Sequence, residues 1–192
     1  MADLQKIYDG CKKIYDNCYD MIEGMSFDTK RYLDSQGTTD YNPEEVLIKF
    51  DIILQYSLLQ IATADYEIDR NELIFIRDLT EKGDLVNYLN SLGGTPISWD
   101  TIYHADVLEI RKFLESLKKR IADLSQEFIF VFTTCDLDTP QHDYLSDLTA
   151  DVLCIIDGLA SMDGKIERSE EMADCFVLHV LKVIEKLKKS KK

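Results

Sequence analysis

The chain has 192 residues, with 36 Asp and Glu against 22 Lys and Arg and a formal net charge of −14. That acidity repels phosphate backbones and argues against a nucleic-acid partner. Hydrophobic residues at 45% and charged residues at 30% exclude collagen-like and disordered classes, and three prolines with eight glycines are too few for a many-turned barrel or sandwich.

Residues 3–25 read as a helix, because Leu4, Ile7, Cys11, Ile14, Cys18 and Ile22 recur at helical steps. Gly24 and the polar run Asp34-Ser35-Gln36-Gly37-Thr38-Thr39 predict a loop after it. A second helix opens at Asn42-Pro43-Glu44-Glu45, where Asn suits the N-cap, Pro the first turn and two acids the positive end of the dipole. It runs to about Ala64. The next begins at Asp69, since Asp69-Arg70-Asn71-Glu72 has the form of a capping box, and ends near Gly83.

A short helix over 85–92 is closed by Gly93-Gly94, and the loop around Pro96 follows. Residues 101–134 read as one long helix or as two with a kink. Phe128-Ile129-Phe130-Val131-Phe132 has strand propensity, but with no partner strand it reads as a buried helix end. Thr139-Pro140 repeats the cap-then-proline opening of a helix reaching Met162. A last helix runs from about Glu167 through Met172, Phe176, Val180 and Ile184 into the lysine tail. The expectation is one all-α domain over residues 1–192, built from seven to eight helices.

The N-terminus shows no signal-peptide pattern, and no apolar run approaches the roughly 20 residues of a membrane span. Five cysteines without a CxxC pair fit reduced thiols in a cytoplasmic protein. Cys11 and Cys18 share a helix face but do not have zinc-site spacing.

The informative feature is internal. Residues 61–72, IATADYEIDRNE, match residues 159–170, LASMDGKIERSE, at an offset of 98 residues. Ala62/Ala160, Asp65/Asp163, Ile68/Ile166, Arg70/Arg168 and Glu72/Glu170 are identical, and Asp69/Glu167 is conservative. Leu54, Leu58 and Ile61 pair with Val152, Ile156 and Leu159 at core-facing spacing. Each segment is a helix, an acidic turn and a second helix, so the chain carries a duplicated helical hairpin over about 43–82 and 140–189. Gly164 suits a turn at positive φ, and Tyr66 stands in its place in the first copy.

Laid on a calcium-binding EF-hand loop, Glu72 and Glu170 would take the last position. The first position falls on Ile61 or Leu159, however, and the third on Thr63 or Ser161. Without the first acidic ligand the pattern argues against a working EF-hand.

An Ala-x-x-Asp-Gly-x-Ile-x-x-x-Glu turn between helices resembles the TerB-like family, named after the tellurite-resistance protein. Ala62, Asp65, Ile68 and Glu72 carry the resemblance in the first copy, and Ala160, Asp163, Gly164, Ile166 and Glu170 carry it more fully in the second. It implies a compact helical domain with an acidic face that takes a divalent metal or a partner protein. It implies a role in metal or oxyanion stress and no enzyme activity. The metal candidates are then Asp65, Asp69, Glu72, Asp163, Glu167 and Glu170. Their oxygens suit Ca²⁺ or Mg²⁺ before Zn²⁺. The competing reading is that these acids only cap helices, leaving a structural or protein-interaction domain.

Gly158, inside an apolar helix, marks close helix–helix approach. His179 is expected to be partly buried, and His104 and His142 exposed near helix starts. No Ser-His-Asp or Cys-His constellation, GxGxxG or P-loop occurs. Lys182, Lys186, Lys188, Lys189, Lys191 and Lys192 complement a helix C-terminus and offer a weak contact with an anionic membrane surface.

Overall fold

The computed structural model describes residues 2–38, 40–64, 68–134, 144–162 and 175–191. Among them the protein is all-α: α1 (Ala2–Ser35), α2 (Pro43–Ala62), α3 (Arg70–Leu79), α4 (Leu85–Ser91), α5 (Trp99–His104), α6 (Val107–Thr134), α7 (Tyr144–Ala160) and α8 (Phe176–Lys191).

The organising element is α2. Of its 20 residues, 15 are buried, and from Phe50 to Leu59 every residue is, so this stretch is enclosed on all sides while the first turns reach solvent. It packs against α1, α3, α4, α6, α7 and α8, while α1 also lies along α7. Its start is local chemistry. Asn42 accepts a hydrogen bond from the Glu44 N–H at 3.1 Å, and Pro43 occupies the first turn. Phe50 stacks on Phe128 of α6 at 5.7 Å between ring centres. Phe128, Val131 and Phe132 are buried, so the strand-like run is a helix end, as read from the sequence.

Two expected boundaries are corrected, and one expected alternative is decided. The first helix does not stop near Gly24 but continues to Ser35. Met25, Ser26 and Thr29 are buried on that extension, and Asp28–Arg31 and Lys30–Asp34 pair along its surface at 2.9 and 3.1 Å. The actual stop is Gly37, at φ 81°. There the Thr38 N–H bonds to the Leu33 carbonyl and the Gly37 N–H to that of Asp34, which is the Schellman closure.

Of the two forms expected for residues 101–134, the two-helix form is the one present, with the break at Ala105 and Asp106. Asp106 begins α6, accepting from the Leu108 N–H through its side chain at 2.8 Å and from the Ile110 N–H through its carbonyl. His104 accordingly ends α5 instead of opening a helix.

The helix entering the lysine tail starts at Phe176, not near Glu167, and Cys175 stands outside it. The reason is tertiary. The Phe176 N–H donates to Gln60 Oε1 at 3.2 Å and the Val177 N–H to Ser57 Oγ at 2.9 Å, so α2 caps α8 across the core. The Tyr56 and Phe176 rings then meet edge to face at 5.7 Å.

Candidate functional site

The candidate metal residues fall into two groups. Asp65, Asp163, Glu167 and Glu170 lie outside the described residues, as do Tyr66, Gly164 and His142. Asp69 and Glu72 are described, and they face each other at the start of α3. Asp69 is extended (φ −80°, ψ 147°), and its side chain accepts from the Asn71 N–H at 2.6 Å. Glu72 reaches back to accept from the Asp69 N–H at 2.8 Å. This is the reciprocal capping box expected from the sequence. Glu72 is only 7% exposed, so its carboxylate is turned into the protein instead of towards a cation arriving from solvent. Among the described residues, no group of three or more His, Cys, Asp and Glu side chains is placed to hold a metal ion.

The helices that lead into the two acidic turns end alike. In α2, Ala62 is the last helical residue, the Thr63 hydroxyl donates to the Leu59 carbonyl at 3.0 Å, and the Ala64 N–H reaches the Ile61 carbonyl at 2.9 Å. In α7, Ala160 is last, the Ser161 hydroxyl donates to the Asp157 carbonyl at 2.8 Å, and the Met162 N–H reaches the Leu159 carbonyl at 2.9 Å. The matched positions of the sequence repeat thus carry matched hydrogen bonds up to the turn. The rest of the second hairpin's turn lies outside the described residues.

A second polar cluster escaped the sequence reading. Asp51 and Gln55, one turn apart on α2, are fully buried. Asp51 Oδ1 accepts from the Tyr15 hydroxyl at 2.8 Å, and Oδ2 accepts from the N–H groups of Lys82 and Gly83 at 2.9 and 2.8 Å. Gln55 Oε1 accepts from the Leu85 N–H at 2.7 Å, and its amide donates to Thr80 Oγ1 at 2.7 Å. Burial pushes the Asp51 carboxyl above its ordinary pKa, against the opposing pull of its N–H and hydroxyl donors. From α1, Tyr8 and Lys12 donate to the Asp78 and Leu79 carbonyls at 2.8 and 3.0 Å. α3 therefore ends at Leu79, short of Gly83, because side chains of α1 and α2 satisfy its last carbonyls and the loop beyond. Two polar residues spaced one turn apart within the apolar run IKFDIILQYSLLQ were the available signal. The cluster is a structural clamp, and every donor in it has a partner.

Of the four described cysteines, three are in packing positions. Cys11 and Cys18 are buried on α1, whereas Cys154 is exposed on α7. Burial, then proximity to Cys154, pushes the Cys11 thiol up to about 11, so it stays protonated at neutral pH. His179 is exposed, which corrects the expectation of a partly buried residue, because α8 turns its apolar face of Val177, Val180, Leu181 and Ile184 inward instead. On the exposed side of α8, Lys189 pairs with Glu185 at 2.5 Å. No described helix is long and apolar enough to cross a membrane. No protein-family model, curated protein or solved structure matches the chain, so the TerB-like resemblance stands on the residues of the two turns alone.

Proposed function

We propose that the chain is a non-enzymatic helical binding module of TerB-like character, which works through a partner protein and uses its first acidic turn to cap helices. The observation that carries the reading is the capping box of Asp69 and Glu72, with Glu72 folded inward at 7% exposure. A hard divalent cation collects six to eight oxygens, and carboxylates already turned onto backbone N–H groups serve it poorly. Here one oxygen of each acid already holds a backbone N–H. The net charge of −14 then acts as a long-range field that favours a basic partner surface and speeds its association. Involvement in metal or oxyanion stress belongs to the resemblance and forms the wider frame of this proposal.

Isothermal titration with CaCl₂ and with MgCl₂, against NaCl at equal ionic strength, tests it. Heats that follow ionic strength alone support the capping reading. A saturable, stoichiometric heat with one divalent cation would return the acidic turns to service as a metal site.

A further inference from the structure

The cleft between α3 and α5 brings cationic and aromatic side chains together. It encloses about 420 Å³, within the range of small-ligand sites. One wall is α3, which contributes Arg70 and Arg77 with Ile74 between them. The other is α5, which contributes Trp99, Tyr103 and His104 together with Asp100, whose carboxylate lies 3.6 Å from His104 Nε2. In a chain of net charge −14, two guanidinium groups thus share a cleft with three aromatic rings and, among the described residues, a single lining carboxylate, Asp100 at its α5 edge.

The aromatic wall is fixed before any ligand arrives. The Trp99 indole N–H donates to Asp84 Oδ2 at 3.0 Å, and Asp84 is itself held as the cap of α4 by the Asn87 N–H at 2.7 Å. The loop into α5 is clasped by Asn90, whose side-chain amide donates to the Ile97 carbonyl and accepts from the Ile97 N–H, both at 2.9 Å. Ser98 caps α5 through the Thr101 N–H at 3.0 Å. The Tyr103 and His104 rings meet edge to face at 4.9 Å. On the opposite wall, Asp78 grips Arg77 through Nε and Nη2, which orients its guanidinium. Arg70 has no carboxylate partner among the described residues.

The geometry points to a binding site for an aromatic phosphate of mononucleotide size or smaller. Its ring would stack against the α5 wall and its phosphate would take charge-assisted hydrogen bonds from Arg70 and Arg77. Neither half of the ligand suffices. A neutral ring meets an open, half-polar cleft, and a bare phosphate meets the negative field of the whole chain.

The chain contains one tryptophan, Trp99, so its emission reads this cleft alone. The experiment titrates AMP, adenosine and inorganic phosphate separately into the full chain while following that emission, with amide shifts of α3 and α5 in parallel. AMP should saturate with a Kd of about 1 mM or tighter, and adenosine and phosphate should be weaker by about tenfold or more. Arg70→Gln and Arg77→Gln should each weaken AMP by about tenfold, as expected for loss of one charge-assisted bond, with the circular dichroism spectrum unchanged. Absence of saturation by AMP overturns the proposal. So does equal binding of adenosine or of phosphate, or full retention of AMP binding by both arginine variants.

Discussion

Gly158 of α7 lies directly over the Cys11 side chain of α1: a Cβ built on the glycine would stand 2.1 Å from Cys11 Sγ. The glycine read from sequence as a point of close helix–helix approach is therefore explained by one named neighbour. Gly158→Ala gains helix propensity of about 1 kcal/mol but forces the thiol or the helices to move. A net destabilisation of about 1–2 kcal/mol should appear in urea unfolding. Cys11→Gly should rescue part of it in the double variant. If the two substitutions act additively, the contact is not what holds residue 158 to glycine.

The Asp51 clamp makes a sharper prediction. At Gly83 a Cβ would meet the Ile48 carbonyl oxygen at 2.3 Å and Asp51 Cβ at 2.8 Å, and backbone cannot rotate away as a side chain can. Gly83→Ala should therefore cost about 3 kcal/mol or more. Asp51→Ala should cost a similar amount by stranding the Lys82 and Gly83 N–H groups and the Tyr15 hydroxyl. Asp51→Asn keeps an acceptor and should lose about half as much. Unfolding midpoints that rank Asn with Ala would show that the carboxylate is not the centre of this network.

Alkaline pH should weaken the fold before it harms any surface ion pair. Burial raises the thiols of Cys11, to about 11, and Cys18, and the phenols of Tyr15 and Tyr56, the latter to about 12. The unfolded chain releases these protons from its thiols near 9 and from its phenols near 10, while the folded chain holds them. Their contribution is full below those values and is lost as pH rises through the folded pKa of each group. Urea midpoints taken between about pH 8 and about pH 10.5 should fall steadily, and Cys11→Val should flatten the slope. A flat profile in the unmodified chain would contradict the burial assigned to these groups.

What was legible in the sequence was what is local. Asn42-Pro43 and Asp69-Arg70-Asn71-Glu72 begin their helices through bonds within three residues, so the residue types alone announced them. The matched ends of α2 and α7 were visible for the same reason. What was missed depends on contacts across the fold. Gly24 was read as a stop although it sits exposed within α1, and the true stop required the left-handed Gly37. The start of α8 is set by Ser57 and Gln60, more than a hundred residues earlier, and no local pattern at Phe176 encodes that. The repeat singled out six acids as metal candidates, of which only Asp69 and Glu72 are among the described residues. Only the inward rotation of Glu72 distinguishes a cap from a ligand.

The most direct test of that distinction is a thermal melt of the wild-type chain and of Asp69→Asn/Glu72→Gln in CaCl₂, MgCl₂ and NaCl at matched ionic strength. Caps predict a variant that melts within about 1 kcal/mol of the wild type and by the same difference in every salt, since Asn and Gln keep the oxygens that accept from the Asn71 and Asp69 N–H groups. They also predict wild-type shifts that track ionic strength alone. A divalent-selective rise in the wild type of roughly 5–10 °C, the size expected from about 2.7 kcal/mol at a hundred times Kd, and its disappearance in the variant, would contradict the account.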